Sequence, residues 1–212
     1  MLDIIPGLTA KHEPPPRFSE VPRDSESIRR FWVEEKLPAI EREEGQVYVE
    51  TSHAFKYVAF GLGAAFDLIS IRRNNRDVAL SLWRRISVPA RSDRGREFLY
   101  NPDEPCLCPL PNWERFTDYQ LCYWYTLETE ARIEQIKRLP QKNVVLDFNE
   151  LVKGNGFRRL VCELELPEPN WEAYHKRRHW RVNVNPQNYY RLNPNGNLGG
   201  LESEVRGAIS GG

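Results

Sequence analysis

The fold is read from Asp67-Leu68-Ile69-Ser70-Ile71-Arg72-Arg73-Asn74-Asn75-Arg76-Asp77-Val78-Ala79-Leu80-Ser81-Leu82-Trp83. A short apolar run rich in isoleucine, bounded by charge, predicts a buried strand over 67–72. The chain then turns at once into a predicted helix over 75–86. A strand feeding directly into a helix is half of a parallel βαβ unit, and such sheets collect ligands beyond the carboxyl ends of their strands. Arg73 stands at that strand tip and Ser81 follows eight residues later. A guanidinium grips phosphate oxygens with a two-pronged fork, and a hydroxyl on the next helix adds a directional bond. A solvated arginine and a helix-surface serine would fill the same two positions, so the pair alone leaves both readings open.

Working outward, residues 1–6 read as the last turn of a helix stopped by Pro6-Gly7. A short strand over 8–11 leads to His12-Glu13-Pro14-Pro15-Pro16, a loop stiffened because each proline fixes φ and removes a donor. Ile28, Phe31, Trp32 and Glu35 predict an amphipathic helix over 25–36, broken or restarted by Pro38. Further strands are expected over 46–50 and 143–148. Further helices are expected over 54–66, 116–139, 149–163 (interrupted near Gly154-Asn155-Gly156) and about 170–180. Residues 87–115 hold five prolines and are expected as a long loop, a lid or substrate-facing insertion. Strands alternating with helices predict an α/β fold of three layers, α/β/α, around a central and mostly parallel sheet. One domain is expected over 1–186, with 187–212 a loosely held Gly/Asn-rich tail. That architecture would set Glu13, Ser52-His53 and Arg73 on one rim.

The bulk composition excludes several classes. Thirty Lys+Arg balance thirty Asp+Glu, so global charge points to neither nucleic acid nor an anionic membrane, and any anion site is local. The one dense basic patch, His175-Lys176-Arg177-Arg178-His179-Trp180-Arg181, reads as a solvated helix face or as a contact for an anionic ligand. No run approaches the roughly 18 apolar residues that span a bilayer, and the start shows no secretory pattern. Cys106, Cys108, Cys122 and Cys162 have neither metal-site spacing nor a secreted-domain framework, which fits reduced thiols in a cytoplasmic protein and no metal.

The string from Ile71 to Ser81 resembles the 3′-phosphate-binding segment of sulfotransferases that use PAPS (3′-phosphoadenosine-5′-phosphosulfate): strand, Arg, short polar turn, Asp-Val, small residue, Ser. The resemblance implies a P-loop NTPase/sulfotransferase-like fold, PAPS as co-substrate without a metal, and Arg73 with Ser81 on its 3′-phosphate. It also implies sulfuryl transfer to a hydroxyl or amine of a small molecule, glycan or peptide. Met1-Leu2-Asp3-Ile4-Ile5-Pro6, leading to His12-Glu13, is similar to the stretch after the phosphosulfate loop in tyrosylprotein and related sulfotransferases. There a Leu-Asp-x-x-Pro run leads to a catalytic glutamate, so Glu13 is implied as the base that takes the acceptor's proton. A neighbouring catalytic arginine of that family has no counterpart; Pro15 stands there, with Arg17 two residues on. In cytosolic sulfotransferases the base is a histidine in a Thr-His pair, and Ser52-His53 takes roughly that place. His53 is therefore the rival base, ranked below Glu13. Val144-Val145-Leu146-Asp147-Phe148-Asn149-Glu150-Leu151 resembles the family's late strand and Tyr-Glu-Asp-Leu turn, with Phe148 for Tyr and Asn149 for Glu. The resemblance covers residues 1–160 in scattered blocks.

Neither Gly-x-x-x-x-Gly-Lys-Ser/Thr nor the shorter Ser/Thr-Gly-Thr-Thr occurs in the chain. By register with the family, the first strand and its phosphate loop would lie about a dozen residues before Met1. The expectations are a sheet gapped at its centre, weak PAPS binding, and little or no turnover by this polypeptide. Two other readings stay open: a non-catalytic interaction protein keeping half of a nucleotide site, and a nucleotide kinase relative. The kinase is disfavoured because it needs the missing loop and an aspartate placed for Mg²⁺.

Overall fold

Among the described residues, four five-residue strands, three of them rich in Val, Ile and Leu, pair in parallel, as their spacing by long helical connections requires. The computed structural model describes residues 4–12, 14–17, 24–43, 47–51, 66–177, 194 and 196–211. The chain divides into two units, residues 1–72 with 136–182, and 73–135 with 183–212.

In the first unit, β1 (Leu8–His12) pairs with β2 (Val47–Thr51), in register from Leu8 opposite Val47 to His12 opposite Thr51. β3 (Leu68–Arg72) pairs with β4 (Asn143–Asp147), from Leu68 opposite Asn143 to Arg72 opposite Asp147. Between β1 and β2 runs α1 (Ser25–Phe31), whose N-cap Asp24 accepts the Ser27 N–H at 2.8 Å. Pro38 does not end this helix. One π turn, Trp32–Lys36, closed by the Leu37 N–H on the Trp32 carbonyl, shifts the register and the chain continues as α2 (Leu37–Glu41). Pro38 then sits in the first turn of the restarted helix, where a missing N–H costs little.

After β4, Asp147 caps α3 (Phe148–Lys153) by accepting the Asn149 N–H at 2.7 Å. Gly154, at φ 101°, ends it in a left-handed conformation and opens α4 (Asn155–Glu163). This is the interruption expected near 154–156. α5 (Trp171–Arg177) comes next. Ile4, Ile5, Val144, Leu146, Phe157, Leu160 and Tyr174 form the buried core, with Leu8 of β1 and Ile69 of β3 packed against it. Phe157 stacks on Tyr174 at 4.5 Å, and Trp171 meets both edge-on.

The second unit is helical. α6 (Asn75–Arg84) is capped by Asn74, α7 (Asp93–Phe98) by Ser92, and α9 (Leu198–Ser210) by Asn197. Between α7 and α9 runs α8 (Asp118–Ile136), its last residue belonging to the first unit. Tyr119 to Thr126 are buried on every side, which marks α8 as a central rather than a surface helix.

Two expectations change and a third holds in its coarser part. Among the described residues the strands make two parallel two-stranded sheets, each strand pairing on one edge alone, so the chain is mixed α/β without a continuous central sheet. Residues 87–115 are not a free lid. The carboxylate of Glu128, fully buried, accepts the N–H groups of Leu107 and Cys108 and the Arg132 guanidinium at 2.6–3.1 Å. Trp124 donates its indole N–H to the Cys108 carbonyl at 2.7 Å, and Arg132 lies over the Tyr100 ring at 3.7 Å. Finally, the end of the chain, expected loose, contains the thirteen-residue α9. The expected helix over 54–66 lies outside the described residues except for Phe66. No helix among the described residues is long and apolar enough to cross a membrane.

Candidate phosphate-binding site

Strand β3 ends at Arg72 and α6 begins at Asn75, so two residues make the whole turn. Arg73 is the first residue beyond the strand, as the sequence requires for a tip cation. Asn74 accepts the Asp77 N–H at 3.3 Å and so fixes the helix start. Arg73 is 46% exposed, and its Nε lies 4.0 Å from Asp77 Oδ2, the outer limit of an ion pair. Asp77 and Ser81 are four residues apart and share one face of α6, so Arg73 leans towards the row that leads to Ser81.

Ser81 differs from the two serines of α9. Ser203 and Ser210 give their hydroxyls to the carbonyls four residues back, at 2.8 and 3.0 Å. Ser81, half-buried, gives its hydroxyl to no partner among the described residues. A free hydroxyl lies along a helix face behind an exposed guanidinium.

The neighbouring cation is used otherwise. Arg76 forks onto Glu202 of α9, with Nε and Nη2 each 2.8 Å from a carboxylate oxygen, and Tyr119 donates its phenol to the same carboxylate at 2.7 Å. The hydrogen bonds from Arg76 hold the Glu202 carboxyl below its ordinary 4.5, against the opposing effect of burial. The Tyr119 phenol is pushed up, first by burial and then by its bond to Glu202. Arg76 therefore ties α9 down, and the sequence string contains one docking arginine beside the candidate anion ligand.

The other named positions divide plainly. Glu13, Ser52 and His53 lie outside the described residues. At the carboxyl end of the β1–β2 pair, His12 Nδ1 sits 2.9 Å from Thr51 Oγ1 and 3.1 Å from its carbonyl. Of the basic patch, Lys176 pairs with Glu172 on its own helix at 2.6 Å, as a solvated face would; residues 178–181 lie outside the described ones. None of the four cysteines is in a disulfide. Burial pushes the Cys106 thiol up and the Cys108 thiol to about 11, which favours the protonated form of both.

Sequence reasoning missed a second cluster, Lys36, Tyr48 and Glu50. Lys36 is buried and pairs with Glu50 at 2.7 Å. Only the alternation of Tyr48 and Glu50 on one strand face signalled it, and that signal does not name the lysine.

No family model, curated protein or solved structure matches this chain.

Proposed function

We propose that the chain is a sulfotransferase-like protein in which Arg73 and Ser81 form the 3′-phosphate half of a PAPS site. The observation that carries this reading is the uncommitted Ser81 hydroxyl on the helix face towards which Arg73 leans. Arg73 supplies charge and the serine supplies direction, and neither needs a metal. The strand pairing agrees with it. A further strand between β2 and β3 would join the two parallel pairs into one five-stranded sheet of a three-layer fold, and each of the four strands has one edge without a strand partner among the described residues.

In the reaction so read, an acceptor hydroxyl or amine attacks the sulfur of PAPS. The bond from sulfur to the 5′-phosphate oxygen breaks, adenosine 3′,5′-bisphosphate leaves, and the acceptor's proton passes to a base. Glu13 is the proposed base, with His53 as the rival. Transfer of this kind depends on positioning and charge stabilisation.

Calorimetric titration with adenosine 3′,5′-bisphosphate tests the assignment. Arg73→Ala is expected to abolish binding, and Ser81→Ala to weaken it by about tenfold, the worth of one hydrogen bond to a charged group. An Arg73→Ala chain that binds as the parent does refutes it. The lack of a phosphosulfate-loop motif favours a second reading in which the clasp binds nucleotide without transfer. Binding without product formation from PAPS and a phenol acceptor separates that reading from the first.

A further inference from the structure

Asn75 opens α6 two residues beyond Arg73, and its side-chain amide donates to Glu130 Oε2 of α8 at 2.9 Å. A carboxylate only accepts, so the amide is oriented with Nδ2 towards it. Glu130 is half-buried, meets no cation among the described residues, and makes this one hydrogen bond there. Next along the helix, Arg76 forks onto Glu202 of α9. The first turn of α6 is thus pinned by two successive side chains to two different helices.

The two pins fix the rotation of α6. Successive residues of an α-helix are turned by about 100° around its axis. With Asn75 taken as the origin, Arg76 lies at about 100°, Ala79 at about 40°, Trp83 at about 80° and Ser81 at about 240°. Ala79 and Trp83 are the buried residues of α6 and fall between the two pins, so pins and core define one docked face. Ser81 lies almost directly opposite the middle of that face, with Asp77 beside it at about 200°. Asp77 is the residue towards which Arg73 leans. A rotation of α6 would therefore carry the Ser81 hydroxyl away from Arg73, which precedes the helix. One hydrogen bond at a half-buried position adds modestly to stability, but it sets direction.

We propose that Glu130 is a positioning residue for the Arg73–Ser81 clasp, setting through Asn75 the rotation at which α6 presents the serine. The inference rests on the reading of that clasp as the 3′-phosphate site. Glu130 acts by accepting one hydrogen bond, and its charge is incidental.

Two variants of the full chain separate the bond from the charge. Glu130→Gln and Glu130→Met both remove the negative charge, but only glutamine keeps an oxygen that accepts the Asn75 N–H. The readout is the ratio of affinities for adenosine 3′,5′-bisphosphate and adenosine 5′-monophosphate in calorimetric titration, since that ratio isolates the 3′-phosphate. Glu130→Gln is expected to keep the parent's ratio, and Glu130→Met to lower it by about threefold or more. Asn75→Ala removes the same bond from the other side with Glu130 intact and is expected to lower the ratio equally. It also carries the test should Glu130→Met fail to unfold cooperatively. The double variant Glu130→Met/Asn75→Ala is expected to be no worse than either single one. An unchanged ratio in Glu130→Met or Asn75→Ala, including one that accompanies an equal fall for both nucleotides, overturns the proposal. So does a ratio lost equally in Glu130→Gln, or losses that add in the double variant. Failure of the nucleotide reading is distinct: the parent chain then shows no preference for the bisphosphate, and the proposal falls with it.

Discussion

Gly95 shows how tightly single positions are specified. A Cβ built there would lie 1.8 Å from the Val88 carbonyl oxygen, and that oxygen belongs to rigid backbone. Gly95→Ala is therefore expected to destabilise by about 2–3 kcal/mol, read as a lower midpoint in chemical denaturation. A midpoint equal to the parent's would mean the backbone gives way there. Gly154, at φ 101°, acts through conformation, and Gly154→Ala is expected to cost about 1–2 kcal/mol in the same assay. The placement of Arg73 just past a strand tip and of Ser81 on the helix that follows was legible from the sequence because it is local. The Lys36–Glu50 pair was not. Its members come from different elements, and nothing in a lysine's sequence context announces that it is 1% exposed.

Elements were read with uneven success, and composition explains the difference. β1, β2, β3 and β4 fall within one residue of their expected bounds, because short apolar runs carry their own signal. α9 was missed because Gly and Asn around residues 194–200 outweighed the Asn197 cap and the spacing of Leu198, Leu201 and Val205. The groups that face α9 are Arg76 and Tyr119 on Glu202, Gln120 on Glu204 and the Leu201 carbonyl, and Tyr123 on Arg206. The folded-state pKa of Glu202 is depressed, so its contribution is complete above the ordinary 4.5 and is lost as pH falls through the lower folded value. Protection of the 198–210 amides, taken relative to their intrinsic exchange rate at each pH, is accordingly expected to fall below pH 4.5, and Glu202→Gln to lower it in the same way at neutral pH. Protection of α9 that ignores both changes contradicts the assignment. The 87–115 segment behaves similarly. Glu128→Ala leaves Arg132 and two backbone N–H groups without their acceptor and is expected to cost about 3–5 kcal/mol in denaturant unfolding.

At the scale of the whole molecule, the alternation of strands and helices led correctly to parallel pairing within an α/β chain. It did not show how many sheets form, since a ladder depends on which distant strands meet and one-dimensional periodicity carries no such information. The same limit applies to the site. The proposed phosphate clasp lies in one continuous stretch, whereas a base contributed by another strand end depends on tertiary placement. Ile71 is 56% exposed, whereas its ladder partner Leu146 is fully buried. The most direct measurement is a paired titration of the unmodified chain with adenosine 3′,5′-bisphosphate and adenosine 5′-monophosphate, ligands that differ only at the 3′-phosphate. The expected result is tighter binding of the bisphosphate by about tenfold or more, an advantage that disappears in Arg73→Ala. Equal binding of the two nucleotides, or an advantage that survives the loss of Arg73, would contradict the clasp.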